Sequence, residues 1–220
     1  RLHLLIPPMK RFPRLPLVLS MLLAAHWGHA AATAFASRTA FDTTFSAALI
    51  ENWDSYPAGT TVANGSALNG ITYNSSAGVA IVTSAFLPST APNALGRTPT
   101  GFFFPTDTIT FTFGTPILAF GIDISTAETS GAVFQLTTNT GEVTNSVFDP
   151  FPGFRFGQFA GFSSNVAFTS VTVSSSSVAF GHALDTLRYV PSQAVPDGAA
   201  TSILLGFAIF VLLALRRRLA

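Results

Sequence analysis

The chain contains no cysteine. Disulfide scaffolds, thiolate zinc sites, iron-sulfur clusters and cysteine nucleophiles are therefore all excluded. Charge is scarce as well: 10% of the 220 residues are charged against 48% hydrophobic, a balance that buries a core and excludes the charge-rich disordered class. What charge there is lies unevenly. Residues 1–14 hold four bases, residues 35–194 hold four bases and nine acids for a net −5, and residues 216–218 are all arginine. The single lysine is Lys10, so the middle of the chain has none. A nucleic-acid-binding surface is excluded on that ground, because neutralising phosphates takes clustered Lys and Arg.

The two ends carry the clearest signals. From Met9 the chain places Lys10, Arg11 and Arg14 ahead of an apolar run from Leu15 to Ala25, followed by small residues up to Ala34. That order is the three-part layout of a secretory signal peptide. Residues 1–34 are accordingly expected to be a signal peptide starting at Met9, with residues 1–8 as upstream sequence and cleavage after Ala30, Ala32 or Ala34. An uncleaved anchor helix is the alternative, and the shortness of the apolar run counts against it.

At the other end, Thr201 to Leu215 is uncharged and apolar, bounded by Asp197 before it and by Arg216, Arg217 and Arg218 after it. This segment is expected to be one transmembrane helix at the lower limit of spanning length, with residues 216–220 as a cytoplasmic tail. The three arginines then act as the stop-transfer signal, since positive charge beside a spanning helix stays in the cytoplasm.

Ahead of the helix, in residues 191–200, stand Val195, Pro196, Asp197 and Gly198. A short Pro-acid motif, a short apolar helix and an arginine-rich end, in that order at a chain terminus, resemble the PEP-CTERM sorting signal in its VPD-type variant. Asp197 stands where the commoner form of that family has Glu, and Ala199 and Ala200 follow Gly198 where small or hydroxyl residues are usual. The resemblance implies recognition by an exosortase, a membrane transpeptidase-like enzyme of Gram-negative bacteria that make exopolysaccharide. Val195, Pro196 and Asp197 then serve as a recognition element, and the protein's place is the cell envelope or extracellular matrix, membrane-anchored before processing.

Between residues 36 and 190 the apolar residues recur at period two in short blocks separated by Gly, Pro, Asn, Ser and Thr. Thr108 to Phe113 and Phe168 to Val173 alternate cleanly, and Asn139-Thr140-Gly141 between two such runs predicts a hairpin. Further strands are expected at 71–74, 79–83, 117–124, 132–138, 142–148, 158–162 and 179–189. No stretch shows sustained helical periodicity, so the expected fold is all-β, an antiparallel β-sandwich or jelly roll. The spans 53–60, 110–123 and 183–189 resemble ectodomains that commonly precede this sorting signal, which implies the same fold and no particular activity.

Phenylalanine is abundant, with 22 against two Trp and three Tyr, and most should be core. Phe102, Phe103 and Phe104 cannot all face one side of a strand, so either Phe103 or its two neighbours must lie outward. Beyond the leader region the only histidine is His182, beside Gly181, read as a turn or surface residue. No Gly-x-Ser-x-Gly nucleophile elbow accompanies it. A non-catalytic ectodomain is expected, in contact with exopolysaccharide. A carbohydrate-active hydrolase using two of the acids, or a purely structural adhesive domain, are the alternatives. One cofactor is considered: a structural calcium held by Glu51 and Asp54 on the opening strand and Asp185 on the closing one, since calcium takes carboxylate and carbonyl oxygens. The competing reading makes Asp185 an acid that holds Arg188 or a backbone amide.

Overall fold

The computed structural model describes residues 31–85, 87–126, 133–151, 157–175 and 181–192. The signal-peptide stretch up to Ala30, the sorting motif, the apolar segment 201–215 and Arg216 to Arg218 lie outside the described residues. Among the described residues no helix is long and apolar enough to cross a membrane.

Among the described residues, thirteen strands and one helix follow one another. β1 (Ala32–Ala34) and helix α1 (Arg38–Thr44) precede β2 (Leu49–Glu51), β3 (Thr61–Val62), β4 (Ser66–Leu68), β5 (Ile71–Ser75), β6 (Ala80–Thr83) and β7 (Ala94–Arg97). The second half holds β8 (Ile109–Thr126), β9 (Phe134–Thr138), β10 (Val143–Asn145), β11 (Val147–Phe148), β12 (Gly157–Ser175) and β13 (His182–Pro191). Every described pairing is antiparallel, and the main path runs β10-β9-β12-β8-β13-β7-β6-β3. β5 joins β8 and carries β4, β2 joins β13, and β1 and β11 join β12. The architecture is β-sandwich-like and mostly antiparallel, as the period-two alternation predicts.

Several expected elements differ in extent. The expected strands 108–113, from residue 109 on, and 117–124 are parts of the single strand β8, and 158–162 and 168–173 are parts of β12. The polar break that suggested two strands in each case is a local irregularity: the β8–β12 register shifts between Ser163 and Phe168 and again before Ser170. Such bulges bend a strand without ending it. The expected hairpin is present, with β9 and β10 paired through Leu136 opposite Thr144.

The domain also begins earlier than residue 36. Ala32 to Ala34 pair with Phe162 to Ser164. Helix α1 was not expected, because seven residues show too little periodicity. It is capped by Ser37, whose Oγ accepts the Ala40 N–H at 3.1 Å. Its Phe41 is fully buried and meets Phe35, Phe45 and Phe159 at centroid distances of 5.1, 5.1 and 5.8 Å. These rings and Ala119 form a small core under the helix. The principal core lies on the other face of β8 and gathers Trp53, Tyr73, Phe111, Phe120, Phe162, Phe168, Leu184 and Leu187 with their neighbours.

Candidate functional site

The three acids proposed for calcium are all well partnered, and the strand register separates them. Glu51 lies opposite Leu187 in the β2–β13 ladder, so the opening and closing strands do pair, through their backbones. Its Oε1 accepts the Trp53 N–H at 2.8 Å and its Oε2 accepts from Asn69 Nδ2 at 2.5 Å. Asp54 follows Trp53, which sits at φ 58, and stands in a turn beyond β2; its Oδ1 accepts the Asn93 N–H at 2.9 Å. Asp185 lies opposite Asp123 in the β8–β13 ladder. Residues directly opposite share a face, so Glu51 goes with the core residue Leu187 while Asp185 goes with Asp123 toward the helix. Among the described residues no group of three or more His, Asp and Glu side chains could hold a metal ion.

Around Asp123 the fold assembles a buried polar cluster that sequence reasoning did not find. Arg38, at the start of α1, donates from Nε to Asp123 Oδ1 at 2.6 Å, and its backbone N–H donates to Asp149 Oδ2 at 2.6 Å. Arg188 Nη1 lies 3.3 Å from Asp123 Oδ2 and donates to the Thr186 carbonyl at 2.8 Å. Arg188 Nε is an ion-pair neighbour of Asp42 at 2.8 Å, out of line for a hydrogen bond. Asp123 is thus shared by two guanidinium groups while only 1% exposed, the pairing a buried carboxylate requires.

Among the described residues Asp185 has no guanidinium partner. It accepts the backbone N–H groups of Thr90 at 2.7 Å and Thr186 at 2.6 Å, while Arg188 pairs with Asp123 and Asp42. Burial raises its carboxyl to about 7, with Asp123 adding to the rise and the bonds from Thr90, Thr186 and Ser89 opposing it. The nearest sequence hint to this cluster was Asp185 with Arg188 three residues on. Arg38, Asp149 and the Ser89-Thr90 segment carried none, because only the tertiary fold brings those loops over β8.

His182 is a core residue and not the surface residue expected. It is 1% exposed, between the rings of Phe134 at 4.8 Å and Phe103 at 5.6 Å, and burial lowers its pKa to about 4. The backbone explains its place: His182 and Phe103 exchange N–H to carbonyl bonds at 2.7 and 2.9 Å. That bridge turns Phe103 inward and leaves Phe104 outward, where the Arg97 guanidinium covers its ring at 4.5 Å. Of the second aromatic group, Phe148 is exposed and Phe151 and Phe159 are buried, while Phe154 and Phe156 lie outside the described residues.

One cavity of about 250 Å³ opens where the chain leaves the last strand. It is lined by Leu49, Asn69, Gly70, Phe113, Gly114, Thr115, Ile117, Tyr189 and Pro191. The Phe113 and Tyr189 rings stand 5.0 Å apart at its wall, and the Ser192 N–H donates to the Pro116 carbonyl beside it at 2.8 Å. Pro191 and Ser192, the last described residues, therefore lie at the rim of this cavity.

Residues 194–219 match the VPDSG-CTERM motif. The match covers Val195 to Arg218, the same residues whose order resembled a PEP-CTERM-type sorting signal, and it points to an exported, sorted, envelope-associated protein. No curated protein matches the chain. Solved structures give distant likenesses. The catalytic unit of a thermostable alpha-1,3-glucanase from Streptomyces thermodiastaticus is 12% identical with a TM-score of 0.37, covering 67% of this chain and 26% of that one. This chain therefore spans about a quarter of the glucanase unit's length. A family 6 carbohydrate-binding module is 12% identical with a TM-score of 0.33, covering 66% of this chain and 94% of the module. A beta-(1,4)-mannanase of Podospora anserina is 20% identical with a TM-score of 0.33, covering 64% of this chain and 29% of that one.

Proposed function

We propose that this is a non-catalytic surface or matrix protein of a Gram-negative bacterium, exported by its N-terminal leader, held by its C-terminal helix and handed to an exosortase. The β domain then remains outside the cell in contact with exopolysaccharide. The observation that carries the reading is the order of parts between residues 194 and 219: recognition element, apolar segment, arginine cluster. Positive charge at Arg216 to Arg218 keeps the end of the chain inside and the β domain outside.

The condition of the acids supports a domain without catalysis. A glycosidase needs two carboxyl groups flanking a substrate bond. Asp123 and Asp185 are brought together but are at most 1% exposed, and Asp123 is committed to two arginines. His182 is sealed between aromatic rings.

Two measurements on protein from its native host test the reading. Mass spectrometry of the mature protein is expected to find no peptide from 203–215, and the protein is expected to sediment with the extracellular polysaccharide. Recovery of the intact tail would leave a plain membrane anchor. A protein that stays wholly free of the polysaccharide would remove the matrix role.

A further inference from the structure

We infer that the cavity between Tyr189, Phe113 and Asn69 binds one neutral sugar ring of a polysaccharide chain. This rests on the proposed contact with exopolysaccharide and assigns that contact a place and a chemistry.

The cavity exists because β8 changes partners across it. β8 pairs with β5 as far as Phe113, opposite Ile71, and with β13 only from Ile117, opposite Pro191. Gly114, Thr115 and Pro116 fall between the two ladders. Gly114 leaves the space open, since a Cβ built there would meet nothing nearer than the Gly70 carbonyl at 3.8 Å. Ile117 is fully buried, while Leu49, Asn69, Gly70, Gly114 and Thr115 are exposed around the opening. A chain can enter and leave such a site while one ring occupies it, and the volume falls just under the usual range of small-molecule sites.

The lining matches a pyranose on three counts. Phe113 and Tyr189 offer ring surface to the apolar C–H face of a sugar, and Tyr adds a polar tip to its ring. Tyr189 Oη, Thr115 Oγ1 and Asn69 Oδ1 have no protein hydrogen-bond partner among the described residues, which leaves them for sugar hydroxyls. The amide of Asn69 is fixed in orientation, because Glu51 can only accept and so holds the Nδ2 side. Finally, no charged residue lines the cavity among the described residues. Glu51 stands behind Asn69 of the lining with its two oxygens occupied by Trp53 and Asn69, so its charge disfavours an anionic ligand and binds no cationic one. A neutral sugar is preferred over a uronic acid.

The test is calorimetric titration of the full chain in detergent micelles with neutral glucan hexasaccharides of β-1,3, β-1,4 and α-1,4 linkage, and with hexagalacturonate. At least one neutral hexasaccharide is expected to bind saturably, and the acidic one is expected not to bind. Gly114→Met fills the cavity at a position free of backbone strain and is expected to abolish binding. Tyr189→Phe, which keeps the ring, should weaken it about tenfold through the lost hydroxyl contact. The wild-type melting temperature in both variants shows that the fold is intact. Absence of saturable binding by all three neutral probes, or undiminished binding by Gly114→Met, overturns the site. If the Gly114→Met protein still sediments with polysaccharide, the matrix role stands and only this location falls.

Discussion

Asp123 and Asp185 face each other across the β8–β13 ladder with the Ser89 hydroxyl between them, 2.6 Å from one carboxylate and 3.0 Å from the other. A hydroxyl has one proton, and it goes to Asp123 at the shorter contact. A proton on Asp185 turns the longer contact into a hydrogen bond as well, so the raised pKa of Asp185 and the geometry at Ser89 describe the same arrangement. The relationship joins three parts of the chain distant in sequence and fixes the N-terminal helix to the closing strand through Arg38 and Arg188.

Removing Asp123 leaves Arg38 and Arg188 facing each other with one shared partner gone. Asp123→Ala is expected to destabilise the domain by about 3–5 kcal/mol, the cost of an uncompensated buried charge. Urea unfolding of the wild type and the variant measures this. A loss under about 1 kcal/mol would mean that solvent reaches the cluster and screens it.

Two buried groups make opposite demands on pH. Asp185, raised from 3.8 to about 7, binds a proton in the folded state that the unfolded chain releases, so its contribution falls as pH rises through that window. His182, lowered from 6.5 to about 4, excludes a proton that the unfolded chain takes up, so its contribution rises with pH between those values. The two slopes oppose each other, and stability is expected to change little with pH from about 4 to about 6.5. His182→Phe should expose the falling limb and Asp185→Asn the rising one. Denaturation of the three proteins at several pH values decides this, and parallel profiles would refute the assignment of either group. His182→Phe should itself be neutral or stabilising, because it removes a buried Nδ1 without a partner.

Cleavage of the N-terminal leader is expected after Ala30. A chain starting at Ala31 keeps the whole of β1, and its first nitrogen donates to Asn165 Oδ1 at 2.8 Å. Cleavage after Ala34 would delete that strand and its pairing with β12. N-terminal sequencing of the exported protein distinguishes Ala31, Thr33 and Phe35 as first residues.

A shared calcium site at Glu51, Asp54 and Asp185 predicts a melting temperature that rises with added calcium and falls with chelator. The register sets Glu51 and Asp185 on opposite faces of their strands, and all three acids already accept hydrogen bonds from protein donors. The expected outcome is therefore a melting temperature indifferent to both additions. A calcium-dependent rise that Asp185→Asn abolishes would restore the cation.

Local chemistry made much of this protein legible in its sequence. Alternation at 109–113 and 168–173, and the Asn139-Thr140-Gly141 turn, set strands and a hairpin because side-chain period and turn conformation are properties of a few adjacent residues. The sorting motif was legible for the same reason: Val195, Pro196, Asp197, the apolar run and Arg216 to Arg218 are read in order along the chain. Helix α1 was not legible, since seven residues with one buried phenylalanine, Phe41, become a helix only when Phe159 and Ala119 give it a surface to cover. The polar cluster and the cavity were beyond reach for a deeper reason. Whether Asp185 meets a cation, an amide or another acid depends on which residue stands opposite it and which loop crosses above it. Those are decided by strand register and by the long-range approach of Arg38 and Ser89, energies that no neighbouring residue in the sequence records.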